Sequence, residues 1–145
     1  MPVETILIVE DNADIREMLT CLLQAEGYNV IAAEDCAGGL DQLRTQGPDL
    51  VIADVMLPDY SGLQFIRWVR ERAAWGQTPV IAMTAFEPGY LTAATHLGAA
   101  AAIHKPEGLE RLAITVKSVL SQKAQQQAPV QTDGQDPSSD GGYVN

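Results

Sequence analysis

Four apolar segments of this chain are each followed by a side chain that could take part in ionic or phosphoryl chemistry. In chain order these are two adjacent acids, a lone acid, a hydroxyl and an ammonium group: Glu10 and Asp11, Asp54, Thr84 and Lys105. The segments are short and rich in Val, Ile and Ala, a composition typical of strands buried on both faces of a parallel sheet. Because parallel strands end at one edge of a sheet, where open α/β sheets bind their ligands, we predict that these side chains form one site.

Asp54 is the first candidate for the reactive group of this site. An aspartate after a strand often serves only to cap the next helix. Here the helical pattern covers residues 62–74, and Ser61 occupies its N-cap position. Asp54 lies too far before the helix to cap it, which favours a functional role.

Three carboxylates at one sheet edge require a compensating cation. At an effective dielectric constant near 20, each close pair of like charges costs roughly 4 kcal/mol. Oxygen ligands without nitrogen or sulfur favour Mg²⁺, which binds one or two carboxylates and leaves its other positions to water and phosphate oxygens. The sequence therefore predicts a magnesium site suited to a phosphoryl group.

A phosphoryl group on Asp54 would give the remaining residues a role. The metal would neutralise the developing charge, Lys105 would pair with one phosphate oxygen and the Thr84 hydroxyl would donate to another. Taken singly, Thr84 could be an ordinary strand-end hydroxyl and Lys105 a solvated residue, but their occurrence with three acids favours a site. No Gly-rich phosphate-binding motif is present, so a nucleotide donor has no support.

Strand and helix patterns alternate along the chain in a way that would position these residues. Strands are predicted at residues 5–9, 28–33, 50–53, 79–83 and 99–104, and helices between residues 12 and 27 and at 36–46, 62–74, 88–97 and 109–123. The inward-facing positions predicted for the last helix are Leu109, Leu112, Ile114, Val116 and Val119. This alternation predicts a parallel sheet covered on both faces by helices.

The composition argues against several classes of function. A formal net charge of -10 and a pI near 4.4 disfavour binding to nucleic acid or to an anionic membrane, because both would repel the protein. The sequence has no run of 18 apolar residues and no signal-peptide pattern, so we expect a cytoplasmic location. Cys21 and Cys36 lack the spacing of a zinc site and are interpreted as reduced thiols.

Residues 124–145 differ in composition from the rest of the chain. They are rich in Gln, Pro, Ser, Gly and Asp and contain neither Lys nor Arg. Such a segment buries too little apolar surface to offset the entropy cost of ordering. The predicted organisation is one domain at residues 1–123 and a disordered polar tail at residues 124–145.

Four motifs resemble those of the receiver domains of two-component response regulators, over residues 4–123. They are Val9-Glu10-Asp11-Asn12, Asp54-Val55-Met56-Leu57-Pro58-Asp59-Tyr60-Ser61-Gly62, Met83-Thr84-Ala85 and Lys105-Pro106. Each motif is weak alone, but together they match the family in order and spacing. The resemblance implies a flavodoxin-like doubly wound α/β fold with five parallel strands and five helices, as in stand-alone regulators of the chemotaxis type.

The resemblance also implies a role for each site residue. Asp54 would accept a phosphoryl group from a histidine kinase or histidine phosphotransfer protein and so switch binding to a downstream protein. Asp11 and Asp54 would ligate Mg²⁺, Glu10 would hold it through water, and the Met56 carbonyl would complete the protein ligands. The signalling and charge-pairing residues of the family would be Thr84 and Lys105.

The chain departs from the family pattern in its fifth strand. Ala102 stands where the family usually has an aromatic residue, alanines replace the acids that usually precede it, and Glu107 replaces another common aromatic. The usual relay, in which the aromatic turns inward as the threonine moves, therefore lacks its central residue. His104, Tyr90 and Phe86 are alternative reporters, although His104 is equally well interpreted as a partly exposed strand-end residue.

The sequence is compatible with two other functions. A receiver-like scaffold could signal by binding alone, without phosphorylation, although the complete acid set favours a phosphorylation switch. A small hydrolase could use Asp54 as its nucleophile. It would lack the general acid/base expected two residues later, where Met56 stands, so this reading is the weakest.

Overall fold

A five-stranded parallel sheet forms the centre of the structure, a computed structural model that describes residues 3–72, 75–85, 89–105 and 107–127. The strands are β1 Thr5–Val9, β2 Asn29–Ala33, β3 Leu50–Asp54, β4 Val80–Thr84 and β5 Ala101–His104. Their order across the sheet is β2-β1-β3-β4-β5, and each neighbouring pair is parallel. The predicted flavodoxin-like α/β fold is confirmed.

Five α-helices cover the two faces of the sheet. They are α1 Ala13–Ala25, α2 Cys36–Gln46, α3 Gly62–Glu71, α4 Gly89–His96 and α5 Leu112–Gln127, and a short 3₁₀ helix, Glu107–Arg111, precedes α5. Alternate strand residues pack on opposite faces: Ile6 and Ile8 lie under α1 and α5, whereas Leu7 and Val9 lie under α2, α3 and α4. The central strands β1, β3 and β4 are therefore buried on both sides, as their apolar runs predict, whereas the edge strands β2 and β5 are only partly buried.

The order of the strands creates a crevice at one end of the sheet. The chain passes from β1 to the edge strand β2, and α2 then carries it back across β1 to β3. The connections leaving β1 and β3 therefore diverge in opposite directions, and a space opens between their carboxyl ends. The acids predicted to form the site follow these two strands.

The two helices that border this crevice, α1 and α3, each begin with a polar side chain that caps the helix. The Asn12 side chain accepts a hydrogen bond from the Ile15 amide at the start of α1, and the Ser61 hydroxyl accepts one from the Leu63 amide at the start of α3. Asn12 is thus the N-cap of α1. Asp54 does not cap α3.

Several predicted element boundaries differ from those in the structure, among them the end of α3, the start of β5 and the end of α5. The backbone of Arg72 is extended, so α3 ends at Glu71 rather than at residue 74. Strand β5 begins at Ala101 rather than at residue 99, because the Ala99 amide is bonded to the Ala94 carbonyl at the end of α4. Helix α5 continues through Gln127, past the predicted boundary at residue 123. Residues 128–145 of the predicted tail lie outside the described residues.

The prediction that Ile114 faces the core is wrong. Its side chain is 71% exposed, whereas Leu112, Val116, Val119 and Leu120 are buried under the sheet. Ile114 lies two residues after Leu112, about 200° further around the helix at 3.6 residues per turn.

The two cysteines fit the sequence interpretation, since both are free thiols. Among the described helices, none combines the length and apolar character needed to cross a membrane.

Gly62 allows the chain to return close to Asp54 after the loop between β3 and α3. Its amide donates to the Val55 carbonyl at 2.7 Å, which closes the loop at its base. A Cβ atom at this position would overlap the carbonyl oxygen of Asp54 and lie 2.7 Å from Cα of Val55. The loop beside Asp54 therefore requires a residue without a side chain here.

Replacing Gly62 with alanine should therefore destabilise the fold strongly. We expect Gly62→Ala to lower the free energy of unfolding by about 3 kcal/mol, because the clash involves backbone atoms that cannot move aside independently. Gly89→Ala is the matched control, since a Cβ at Gly89 meets nothing within 4 Å. It should leave stability within about 0.5 kcal/mol of the parent or raise it. Urea unfolding of the three proteins measures both effects, and equal midpoints would contradict the role of Gly62.

Candidate functional site

Four neighbouring strand ends bring the predicted residues together. Glu10 follows β1, Asp54 and Thr84 are the last residues of β3 and β4, and Lys105 follows β5. All four are at most 7% exposed, whereas Asp11 lies at the exposed rim. Charged side chains are rarely buried without partners, so their position implies specific pairing.

Lys105 is the partner of both buried acids. Its Nζ lies 3.0 Å from Oε1 of Glu10 and 2.9 Å from Oδ2 of Asp54, and it donates a hydrogen bond to each. The Lys105 amide also donates to the Thr84 carbonyl at 2.7 Å, which holds the residue that follows β5 against the end of β4. The Lys105 ammonium group therefore links the ends of β1 and β3 to β5, and the Lys105 amide links the end of β4.

The electrostatics of the site reflect competition between burial and pairing. Burial alone would lower the pKa of Lys105, but hydrogen bonds to Asp54 and Glu10 outweigh it and raise that pKa. Burial raises the pKa of Glu10 to about 6, against the hydrogen bonds from Asn12 and Lys105 that lower it. The buried lysine thus stays protonated beside carboxylates that repel one another.

The carboxylates also form a group that could hold a metal ion. Glu10, Asp11 and Asp54 each offer an oxygen atom, and these atoms all lie within 4.8 Å of one another. An oxygen-only donor set with one exposed member suits Mg²⁺, which keeps several water ligands. The residues present therefore fit the predicted metal.

Met56 lies beside this group in the loop after β3. Its amide donates to Oδ1 of Asp54 at 2.9 Å, and its side chain is 45% exposed. The main chain of Met56 is thus held next to Asp54, while its side chain makes no contribution to the buried core. The role of its carbonyl as a metal ligand stays a prediction.

Arg16 is a site residue that the sequence analysis missed. Its guanidinium donates to the Glu10 carbonyl at 2.8 Å and to the Asp11 carbonyl at 3.3 Å, from one turn inside α1. The Asn12 amide donates to Oε2 of Glu10 at 3.1 Å. The sequence offers one weak signal for this contact, a basic residue four positions after the capping Asn12.

The departure in strand β5 is visible in the structure. Ala102 and His104 are both partly buried, and Ile103 between them faces the core under α5. The two residues therefore share the α4 side of the sheet. Tyr90 is 41% exposed near the start of α4. Phe86 and Pro106 lie outside the described residues.

The fold is that of a doubly wound α/β domain, and its buried acidic, basic and hydroxyl side chains lie at the switch point, where such sheets bind their ligands. The sequence matches the family described as Response regulator receiver domain over residues 6–117. The chain belongs to this family, and the resemblance found in its motifs is confirmed.

Relatives of known identity include both short and long proteins. The polar-differentiation response regulator DivK of Brucella ovis is 35% identical over 118 residues, which cover 81% of this chain and 96% of DivK. The phosphate regulon transcriptional regulatory protein PhoB of Klebsiella pneumoniae is 38% identical over 116 residues, covering 79% of this chain and 51% of PhoB. The chain thus spans about half the length of its PhoB relatives.

Solved structures show the same fold. The chemotaxis response regulator CheY4 of Vibrio cholerae matches with a TM-score of 0.75 and 29% identity, over 81% of this chain and 99% of CheY4. The receiver domain of a signal transduction histidine kinase from Syntrophus aciditrophicus matches with a TM-score of 0.78 and 30% identity, over 90% of this chain and 98% of that domain.

Mg²⁺ should stabilise the protein through the acidic group. A ligand at 100 times its dissociation constant stabilises the native state by about 2.7 kcal/mol. We expect Asp11→Asn to lose most of the stabilisation by Mg²⁺, and to melt higher than the parent in EDTA because one repelling charge is gone. Thermal melts with EDTA and with millimolar Mg²⁺ measure both effects.

Asp14→Asn is the matched control for this experiment. Asp14 is an exposed acid in the first turn of α1 and lies outside the group of three acids. Its substitution removes the same charge and should leave the Mg²⁺ response unchanged. Equal responses of parent, Asp11→Asn and Asp14→Asn would place the metal elsewhere.

Proposed function

We propose that this receiver domain is a Mg²⁺-dependent phosphorylation switch in which Asp54 accepts a phosphoryl group. The supporting observation is the buried hydrogen-bonded group of Asp54, Lys105 and Glu10. Keeping these charges away from water costs free energy unless each is paired, and a purely structural core would not need them. A site that handles a transferred anionic group explains them together.

The proposed transfer follows from the positions of the side chains. A carboxylate oxygen of Asp54 attacks the phosphorus atom in line, and the bond from phosphorus to the donor nitrogen or oxygen breaks, with its electron pair leaving on the donor. The product is an acyl phosphate on Asp54. Lys105, 2.9 Å from Oδ2 of Asp54, pairs with a phosphoryl oxygen in the product.

The other residues support the same step. Bound Mg²⁺ would neutralise charge on the phosphoryl oxygens, and the residues that would hold it are Glu10, Asp11, Asp54 and the Met56 carbonyl. The Thr84 hydroxyl, buried at the end of β4, donates to a phosphoryl oxygen and reports the modification through its movement. With Ala102 in place of the family's aromatic, we place the main response in the segment that joins Thr84 to α4.

The proposed phosphoryl donor is a histidine kinase or a histidine phosphotransfer protein, and the proposed output is altered binding to a downstream protein. Family membership and the near full-length match to DivK support this assignment. The acidic surface argues against direct contact with nucleic acid or an anionic membrane. The cytoplasmic location stays a prediction from the sequence.

Acetyl phosphate with Mg²⁺ should add one phosphoryl unit to the protein. Asp54→Asn should not be labelled, because its amide is a poor nucleophile and carries no charge for Lys105 to orient. Asp41→Asn, an exposed aspartate on α2, is the matched control and should be labelled like the parent. Intact-mass measurement over time provides the rates.

The same experiment separates the alternatives. A parent that takes up no phosphoryl group would favour the phosphorylation-independent scaffold. Labelling of Asp54→Asn as fast and as fully as the parent would contradict the assignment of Asp54. Steady turnover of acetyl phosphate without any labelled protein would favour the hydrolase.

We also propose that the folded domain extends to Gln127, the end of α5, and that residues 128–145 contribute little to its stability. The composition of those residues supports this proposal. A chain shortened to end at Gln127 should melt within about 2 °C of the full length, less than the shift expected for 1 kcal/mol in a domain of this size. A larger drop would show that the removed residues pack on the domain.

A further inference from the structure

The loop between β3 and α3, residues 55–61, is tied at its tip to the start of α2. Oδ1 of Asp59 accepts a hydrogen bond from the Cys36 amide at 2.9 Å, and Oδ2 accepts one from the Ala37 amide at 3.0 Å. Oδ1 also accepts from the Tyr60 amide at 2.8 Å. One carboxylate therefore joins the loop that follows Asp54 to the amino terminus of another helix, where unpaired amides favour a negative charge.

The Cys36 side chain strengthens the same connection. Its thiol donates to the Tyr60 carbonyl at 3.4 Å and lies 3.8 Å from the Ser61 carbonyl. Burial, followed by the nearby charge of Asp59, raises the pKa of Cys36 to about 12, so the thiol keeps the proton that it donates. The Tyr60 ring packs edge-on against Trp68 with ring centroids 5.0 Å apart.

Helix α2 is packed closely against its neighbours and can therefore hold this loop in place. A Cβ at Gly39 would lie 2.9 Å from Val9 and 3.0 Å from the Phe65 ring, so the helix packs directly on the sheet and on α3. Its own N-cap is Asp35, whose side chain accepts from the Gly38 amide at 2.7 Å. Asp59 is thus a second acid at the same helix end, supplied by a different loop.

The base of the loop is fixed separately. The Val55 amide donates to the Met83 carbonyl at 2.8 Å, and the Gly62 amide closes the loop on the Val55 carbonyl. Residues 56–58 span the distance between this base and the anchored Asp59. Met56, whose side chain is exposed and whose amide meets Asp54, lies in that span.

We propose that Asp59 is a positioning residue for the metal and phosphoryl site, because it anchors the loop that presents the Met56 main chain to Asp54. This inference rests on the proposed function, which uses the Met56 carbonyl as a ligand. Without the anchor, residues 56–58 gain conformational freedom, and metal binding must then restrict it. Groups that orient metal ligands typically change affinity by 10- to 100-fold when removed.

The experiment compares two acids at the start of α2. Asp59→Ala should weaken Mg²⁺ binding about tenfold. Asp59→Asn should weaken it less, because Asn keeps one of the two acceptor oxygens. Asp35→Ala removes an equal charge and the N-cap of the same helix without touching the loop, so its Mg²⁺ affinity should stay within a factor of about two of the parent. Titration calorimetry measures the affinities, and urea unfolding checks that each variant is folded.

A second readout distinguishes positioning from general loss of structure. At low Mg²⁺, Asp59→Ala should be labelled by acetyl phosphate more slowly than the parent and than Asp35→Ala. Saturating Mg²⁺ should restore most of the rate, because the defect lies in metal binding. Should Asp59→Ala fail to fold, Asp59→Asn carries the comparison.

Two results would overturn the inference in different ways. Equal Mg²⁺ affinities for the parent, Asp59→Asn and Asp59→Ala, or equal losses in Asp59→Ala and Asp35→Ala, would reject the positioning role and leave the proposed function intact. A parent that neither binds Mg²⁺ nor is labelled at Asp54 would reject both.

Discussion

The buried contact of Lys105 with Asp54 and Glu10 is the interaction on which the rest of the structure depends. Two carboxylates at the carboxyl edge of a sheet repel each other in a medium of low dielectric constant, and the ammonium group offsets that repulsion. Removal of one member of such a buried group leaves the others uncompensated. The three strand ends therefore have to meet in one geometry, which the parallel sheet supplies.

Elements outside the site hold its two loops from opposite sides. Arg16 reaches back from α1 to the carbonyls of Glu10 and Asp11, whereas Asp59 fixes the loop after Asp54 on α2. Gly62 closes that loop at its base because no side chain fits beside the Asp54 carbonyl. Contacts with α1 and α2 therefore hold the two loops that follow β1 and β3 in place, despite the repulsion between the nearby carboxylates.

The β5 edge of the sheet carries smaller side chains than the charged site. Strand β5 is an edge strand that carries Ala101 and Ala102, and small side chains leave little to reorient there. Thr84 joins the site to that side through its position at the end of β4, paired in register with His104. The proposed response in the segment after Thr84 fits this composition, because it requires no large side chain in β5.

Much of this architecture was determined by the sequence alone. Continuous apolar runs predicted the buried central strands, Ser61 predicted the start of α3, and the strand-end residues predicted which side chains the structure brings together, because these signals are local and depend on periodicity and capping chemistry. The boundaries of the helices and strands were predicted less accurately, because the end of α3 and the start of β5 depend on how neighbouring segments pack. The inward assignment of Ile114 failed because the phase of α5 is set by the sheet beneath it.

Only the tertiary structure decided which side chains meet. Lys105 could have paired with any of three acids, and the choice of Asp54 and Glu10 follows from the strand order that brings β1 and β3 together. The contacts of Arg16 with the acid loop and of Asp59 with Cys36 have no sequence signature strong enough to predict them. They are directional hydrogen bonds between segments whose separation is fixed only after the helices have packed on the sheet.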